Sequence, residues 1–84
     1  MGRMKATVRY FGPCRLQTGR ETDEVELPEP ATVAGLLEAC CRLHPALQAA
    51  RRSLLVAVDQ EFSGPDTPLA GGEEIALMPP LSGG

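Results

Sequence analysis

The stretch Thr32-Val33-Ala34-Gly35-Leu36-Leu37-Glu38-Ala39-Cys40-Cys41-Arg42-Leu43-His44-Pro45 contains the one long helix that the sequence predicts. Thr32 stands at the N-cap position, where its hydroxyl can accept a hydrogen bond from a free N–H of the first turn. At about 100° per residue, the apolar residues and the final histidine gather on one side of the helix: Val33, Leu36, Leu37, Cys40, Leu43 and His44. Pro45 ends the helix because it disfavours the α conformation of the preceding residue.

Two alternating segments precede this helix. Residues 5–11 alternate between polar and apolar side chains, a period of two that is typical of a half-buried strand. Residues 23–27 alternate in the same way, so we expect the two segments to pair as a hairpin. Gly12 and Pro13 break the first strand, and the polar segment from Gly12 to Thr22 predicts a long loop between the strands.

An apolar run and another alternating segment follow the helix. Residues 54–58, Leu-Leu-Val-Ala-Val, are continuously apolar, which predicts a central strand buried on both faces. Asp59 and Gln60 predict a turn, and residues 61–62 predict a short edge strand after it. Residues 74–78 alternate again and form the last predicted strand.

This order of elements predicts an α+β domain in which one main helix packs on a mixed sheet of about four or five strands. A helical crossover that follows an opening hairpin is the arrangement of the ubiquitin-like β-grasp fold. Residues 1–78 form this predicted domain. We expect residues 79–84 to form an extended, flexible tail, because Pro79 and Pro80 stop the last strand.

The charge and composition of the chain exclude several classes of partner. Its 84 residues carry 8 Lys and Arg against 11 Asp and Glu, for a formal net charge of −3. Nucleic acid is not expected as a partner, because phosphate binding needs clustered basic residues. No apolar run approaches the ~20 residues of a membrane span, so no membrane partner is expected either. Three cysteines without CxxC spacing predict a reduced, cytoplasmic protein.

The single histidine and the two cysteines near it are the strongest candidates for a metal site. Cys40, Cys41 and His44 share one surface of the predicted helix, but zinc needs a fourth ligand, and nothing else in the sequence has ligand spacing. We interpret these residues as structural. A nucleophilic enzyme also needs a base and a group that orients the base, and one histidine offers no convincing pair. The sequence therefore predicts no metal, no cofactor bound by this chain and no catalysis by the chain alone.

The remaining candidate site is the tail, Met78-Pro79-Pro80-Leu81-Ser82-Gly83-Gly84. Gly83 and Gly84 carry no side chain, so a narrow channel in another protein could admit them and expose the terminal carboxylate of Gly84. An activating enzyme that uses ATP could convert this carboxylate to an acyl-adenylate, which a sulfur or other nucleophile could then attack. The alternative is an ordinary frayed terminus, since chain ends commonly consist of small residues.

The closing pattern Gly-x-Glu-Ile-Ala-Leu-x-Pro-Pro-x-Ser-Gly-Gly, residues 72–84, is the most specific segment of the sequence. Weaker matches extend the likeness over nearly the whole chain: Val8–Phe11, Ala31–Val33, His44–Leu47 and Val56–Asp59. On these segments the chain resembles the MoaD family, the small sulfur-carrying subunits of molybdopterin synthase. One departure is Met78, which stands where the family often has Phe.

The resemblance implies a role for each part of the tail. Gly84 would be adenylated by an E1-like partner of the MoeB type, using ATP, and a sulfur donor would then convert it to a thiocarboxylate. The residues before it would bind the large MoaE-type subunit: Met78, Pro79, Pro80, Leu81, Ser82 and Gly83. There the sulfur would pass to cyclic pyranopterin monophosphate, and the catalytic side chains would belong to the partners. We further expect an exposed apolar patch that involves Met78 and Leu81.

Three other functions fit the tail less well. One is a sulfur carrier for thiamine thiazole synthesis or tRNA thiolation, which the Pro-Pro-Leu-Ser sequence before Gly83 disfavours. Another is a ubiquitin-like protein modifier joined to lysine side chains. The last is a plain interaction module whose terminus has no chemical role.

Overall fold

The computed structural model describes residues 2–80, which form a five-stranded sheet, a two-stranded sheet, two α helices and a 3₁₀ helix. In chain order the elements are β1 (Arg3–Tyr10), α1 (Pro13–Thr18), β2 (Thr22–Pro28), β3 (Ala31–Thr32), α2 (Val33–Leu43), the 3₁₀ helix (Pro45–Ser53), β4 (Leu55–Val58), β5 (Glu61–Phe62), β6 (Pro68–Leu69) and β7 (Glu74–Met78). None of the helices in residues 2–80 has the length and apolar character needed to cross a membrane.

The large sheet has the strand order β2-β1-β7-β4-β5. β1 and β2 pair antiparallel, which confirms the predicted hairpin. β1 and β7 pair in parallel, with Val8 opposite Ile75, while β7 and β4 pair antiparallel, with Leu77 opposite Val56. The predicted mixed sheet with one main helix is therefore confirmed, and its middle strand is the last one in the sequence.

The hydrophobic core lies between one face of this sheet and α2. Buried and exposed residues alternate along the whole of β1, as a period of two requires. The core-facing residues of β1 and β7 include the most deeply buried of the sheet: Ala6, Val8, Tyr10, Ile75 and Leu77. From the helix side, Val33, Leu36 and Cys40 complete the contact. The aliphatic character of this core follows from a sequence with no Trp, one Tyr and two Phe.

The predicted N-terminus of α2 is confirmed, whereas the predicted burial of one residue of this helix, Leu43, is wrong. The Thr32 hydroxyl accepts a hydrogen bond of 3.3 Å from the N–H of Gly35. Leu43, predicted on the buried side, is 56% exposed, whereas Cys41 is buried. The reason is that α2 packs against the 3₁₀ helix as well as the sheet, and Leu47 of the 3₁₀ helix is fully buried. The buried arc therefore extends toward Cys41 and leaves out the last helical residue.

The segment predicted as a loop between the first two strands contains the helix α1. Pro13 occupies the first turn, where its missing N–H has no cost, and Gly19 caps the end with φ of +71°. The Gly19 N–H donates a hydrogen bond of 2.9 Å to the Arg15 carbonyl. Cys14 is the buried residue of this helix. Six residues are too few for a stable isolated helix, so packing of Cys14 against the core sustains α1.

The apolar run predicted as a central strand is β4, which lies second from the edge. Its residues Val56 and Ala57 are buried, but Leu55 and Val58 are only partly buried, so burial on both faces is incomplete. The short edge strand β5 is confirmed, and it leaves much of β4 uncovered. Asp59 and Gln60 form the predicted turn between the two strands, and both have positive φ, as a tight two-residue hairpin turn requires.

The two-stranded sheet, absent from the sequence prediction, supports the N-terminus of α2. β3 pairs antiparallel with β6, with Thr32 opposite Pro68. The segment just before β6 accepts two hydrogen bonds of 3.0 Å from the start of α2. The Val33 N–H donates to the Thr67 carbonyl, and the Ala34 N–H donates to the Pro65 carbonyl. These bonds and the Thr32 cap satisfy N–H groups that the first turn of a helix leaves free.

Candidate protein-interaction site

The predicted tail begins where the central strand ends. Met78, the last residue of β7, pairs with Leu55 at the start of β4. Pro79 then lies against Gly12, where an added Cβ atom would sit 3.7 Å from the proline Cγ. Gly12 has a φ of +55°, in the region that favours glycine. A strand pair on one side and a glycine on the other therefore hold the first residues of the tail in place.

The structure describes only the first of the predicted tail residues. Met78 and Pro79 are partly buried, and Pro80 is exposed. Leu81, Ser82, Gly83 and Gly84 lie outside the described residues. The predicted binding and chemical roles of residues 78–84, and the division into a 1–78 domain and a 79–84 tail, stay predictions.

The sheet presents an apolar surface around the point where the tail leaves. Side chains alternate along a strand. Because Ile75 and Leu77 face the core, Ala76 and Met78 of β7 point away from it. The strand register places Leu55 beside Met78, and it places Phe62 beside Ala57, which in turn pairs with Ala76. Phe62 is 61% exposed. We call this surface the apolar outer face; its members are Phe11, Leu55, Phe62, Ala76 and Met78.

The other half of the same sheet surface is charged. The outward residues of β1 and β2 include Arg3, Lys5, Thr7, Arg9, Glu24 and Glu26. Arg3 pairs with Glu26 at 3.6 Å, and Arg9 pairs with Glu74 at 3.4 Å. These ion pairs are exposed and contribute little to stability. Water solvates this half adequately, whereas the apolar outer face leaves contiguous apolar side chains in water, which marks protein-interaction sites.

On the opposite side of the sheet, three polar side chains form a satisfied cluster at the end of α2. The Tyr10 hydroxyl donates a hydrogen bond of 2.9 Å to Asp23 Oδ2, and His44 Nε2 lies 2.6 Å from the same oxygen. Arg20 Nε lies 2.7 Å from Asp23 Oδ1. The rings of Tyr10 and His44 contact edge to face, with centroids 5.7 Å apart. The cluster joins β1, β2 and α2, which supports the structural interpretation of His44.

The partners of Asp23 determine its ionisation. Burial raises the pKa of this carboxyl, but the hydrogen bonds from His44 and Tyr10, together with the positive charge of Arg20, outweigh burial and hold the pKa below its usual range. Burial also raises the pKa of the Tyr10 hydroxyl well above its usual value. Tyr10 is therefore a neutral donor and Asp23 a charged acceptor at neutral pH.

The cysteines are free, buried thiols. Burial raises the pKa of Cys40 to about 11, and it also raises the pKa values of Cys14 and Cys41. A thiolate is the reactive form, and burial disfavours the thiolate, so these three thiols lack the lowered pKa of an activated cysteine. In the part of the chain that the structure describes, no three or more His, Cys, Asp or Glu residues are grouped to hold a metal ion.

Sequence reasoning missed most of the apolar outer face. Met78 was expected there, but Leu55 was assigned to a strand buried on both faces, and Phe62 to an edge strand without a role. A signal was present, because a two-residue edge strand can bury its aromatic side chain only against a neighbouring layer. The Asp23 partnership with His44 was also missed, since 21 residues separate the two in sequence.

The element order and the mixed sheet, with α2 packed across it and a tail leaving its middle strand, define a ubiquitin-like β-grasp protein. The ThiS family matches residues 8–84, and the chain belongs to this family. A similar curated protein is the molybdopterin synthase sulfur carrier subunit of Chlamydomonas reinhardtii, 35% identical over 83 residues that span 96% of this chain and 100% of that one.

Solved structures agree on the fold. A putative molybdopterin converting factor, subunit 1, from Pyrococcus furiosus superposes with a TM-score of 0.85 at 27% identity, covering 93% of this chain and 99% of the other. The complex of subunits 1 and 2 of the molybdopterin-converting factor from Helicobacter pylori contains a chain with a TM-score of 0.67 and 26% identity, covering 96% of this chain and 100% of that chain. In the latter structure a chain of this fold is bound to a second subunit.

Proposed function

We propose that this protein is the sulfur carrier of molybdenum cofactor biosynthesis, the small subunit of molybdopterin synthase. The observation that carries the proposal is the similarity of this chain to the molybdopterin synthase sulfur carrier subunit of Chlamydomonas reinhardtii, which extends over 96% of this chain. The match to the ThiS family extends through the last residue, Gly84, so the tail is part of the family likeness. Cys14, Cys40 and Cys41 are buried free thiols, so the proposed scheme places the sulfur on the terminal carboxylate and not on a cysteine.

The proposed chemistry takes place on Gly84. A carboxylate oxygen attacks the α-phosphate of ATP in an activating partner of the MoeB type, and pyrophosphate leaves. Sulfide-level sulfur from a donor then attacks the carbonyl carbon of the acyl-adenylate, the bond to AMP breaks and AMP leaves, and a thiocarboxylate remains. In the large subunit this sulfur passes to cyclic pyranopterin monophosphate, and hydrolysis restores the carboxylate. The chain binds no cofactor in this scheme, and the catalytic side chains belong to its partners.

The apolar outer face is the proposed docking surface for the large MoaE-type subunit. Met78 belongs both to this face and to the start of the tail, so a partner that covers Met78 and Phe62 also contacts the start of the tail. Six residues span at most about 20 Å, which limits how far the partner's reaction centre lies from the sheet. Burying apolar side chains supplies binding energy at about 25 cal/mol for each Å² removed from water. The tail itself then needs to contribute little to affinity.

A reducing, cytoplasmic compartment fits this role. Cys14, Cys40 and Cys41 are all free thiols, and an oxidising compartment favours disulfides.

The test is the intact mass of the protein after incubation with a MoeB-type adenylating enzyme, ATP and a sulfur source. We expect a mass gain that corresponds to exchange of one carboxylate oxygen for sulfur. A variant that lacks Gly84 is the control and should show no gain. The sulfur-loaded protein, mixed with the large subunit and cyclic pyranopterin monophosphate, should then form molybdopterin.

Other outcomes would redirect the assignment. Loading by a thiamine-type activating enzyme alone would assign the chain to thiazole synthesis, and rescue of a thiouridine defect would assign it to tRNA thiolation. A ladder of lysine conjugates on a denaturing gel would make the protein a modifier. No reaction with any activating enzyme would leave an interaction module.

A further inference from the structure

Helix α2 has a groove on each side, and the two grooves differ in chemistry. The α2–β4 groove lies between α2 and the strands β4 and β5 and has a volume of about 510 Å³. Its lining is largely apolar: Val33, Ala34, Leu37, Leu54, Val56 and Pro65. The α2–β2 groove, on the other side of the helix, has a volume of about 380 Å³ and a more polar lining.

The charges at the two grooves differ as well. In the α2–β2 groove, Arg3 is paired with Glu26 at 3.6 Å, and Arg42 is paired with Glu38 at 2.7 Å. The rim of the α2–β4 groove instead carries two adjacent arginines, Arg51 and Arg52.

The pairing of these two arginines is weak. Arg51 Nη2 is 3.9 Å from Glu38 Oε2, while the other oxygen of that carboxylate is 2.7 Å from Arg42. Arg52 is exposed and forms no ion pair within residues 2–80. The chain as a whole has a net charge of −3, whereas the rim of this groove carries Arg51 and Arg52 and is therefore basic.

The α2–β4 groove is continuous with the apolar outer face. Leu55 and Phe62 belong to that face and also line the groove. A protein that covers the outer face therefore reaches the groove by passing around the edge strand β5. β5 has only two residues, so little of the sheet edge separates the outer face from the groove.

We propose that the α2–β4 groove is a second docking site for the large subunit, which inserts a segment of apolar side chains flanked by Asp or Glu. The apolar side chains fill the groove, and the carboxylates pair with Arg51 and Arg52. Complementary charge at a rim steers association and fixes the orientation of the partner. This inference rests on the proposed function, because it takes the partner at the outer face to be the large subunit.

The test measures the affinity of the purified large subunit for four forms of the protein at low and high salt. Arg52→Glu places a negative charge at the rim, and we expect it to weaken binding about tenfold at low salt and less at high salt. Ala34→Asp places a carboxylate inside the groove in the first turn of α2. That position favours acidic residues, so the helix retains its stability while binding weakens.

Arg3→Glu is the matched control, with the same change of charge at the other groove. We expect it to alter affinity less than twofold, since its exposed ion pair contributes little. Thermal unfolding of each variant verifies that the fold is retained.

The outcomes separate this inference from the function on which it rests. Failure of the unmodified protein to bind the large subunit removes the proposed function and the inference together. Tight binding by the unmodified protein and by both groove variants overturns the inference alone. If Arg3→Glu loses as much affinity for the large subunit as Arg52→Glu, the inference is also overturned, because the loss then reflects net charge and not the groove. The affinity of the adenylating enzyme for the same four forms is measured in parallel, and a loss of affinity for that enzyme alone overturns the choice of partner.

Discussion

The cluster of Tyr10, Asp23 and His44 and the apolar outer face lie on opposite sides of the same sheet. In the cluster, every polar side chain has a partner within the chain, and no buried side-chain nitrogen or oxygen of the described residues lacks one. On the outer face, apolar side chains such as Phe62 remain exposed to water. Removing a satisfied partner costs folding stability, whereas changing an exposed apolar residue costs little stability and acts on binding. The two regions therefore predict opposite responses to mutation.

The largest expected effect concerns the tail next to the outer face. Deleting Gly84, or adding one residue after it, should reduce molybdopterin formation to background, because the reacting carboxylate is removed or displaced. The unfolding temperature should not change, since the core is untouched. Assays of molybdopterin formation and thermal unfolding on the same samples check both statements. Undiminished product from either variant would rule out a terminal thiocarboxylate.

The next effect tests the outer face itself. Phe62→Asp should weaken binding of the large subunit by about 2 kcal/mol, a typical loss for an aromatic anchor at an interface. Its stability should change by less than about 0.5 kcal/mol, since the side chain is exposed. Leu16→Asp is the matched control, because Leu16 is an 87% exposed apolar residue in α1. If both variants bind alike, the outer face is not the docking surface.

In the cluster we expect a smaller effect, and one on stability instead of binding. Tyr10→Phe removes the hydroxyl that donates to Asp23 and should lower the free energy of unfolding by about 1–2 kcal/mol. Affinity for the large subunit should stay unchanged, because Tyr10 is buried on the helix side of the sheet. Urea unfolding and binding measurements together distinguish this response from that of Phe62→Asp. Lost affinity with unchanged stability would reverse the assignment of the two regions.

The smallest effect is a dependence of stability on pH. The pKa of Asp23 is lower in the folded protein than in the unfolded chain, where the pKa of Asp is about 3.9. Its stabilising contribution is therefore present above that unfolded value and is lost as pH falls through the folded value. Asp23→Asn should reduce the acid slope of a plot of unfolding free energy against pH.

Part of that slope should persist in Asp23→Asn. Backbone hydrogen bonds from Ala70 and Gly71 also lower the pKa of Glu73. A double variant that adds Glu73→Gln should flatten the plot further. An Asp23→Asn plot identical in slope to that of the unmodified protein would show that the cluster does not couple to pH.

The elements that depend on local pattern can be predicted from the amino-acid sequence. The Thr32 cap, the α2 helix, the opening hairpin and the last strand were all predicted, because periodicity and capping are properties of neighbouring residues. The family resemblance was also carried by contiguous residues, above all by the closing segment.

Which of these elements is central, and which side chains are in contact, depends on the packing of the folded chain. β7 rather than β4 is the middle strand, since pairing with β1 brings together residues at opposite ends of the chain. α1 exists because the core accepts Cys14, and Leu43 is exposed because the 3₁₀ helix supplies Leu47 in its place. The outer face likewise collects side chains from β4, β5 and β7 and from Phe11. Such contacts join residues far apart in sequence, so they cannot be predicted from the local sequence pattern.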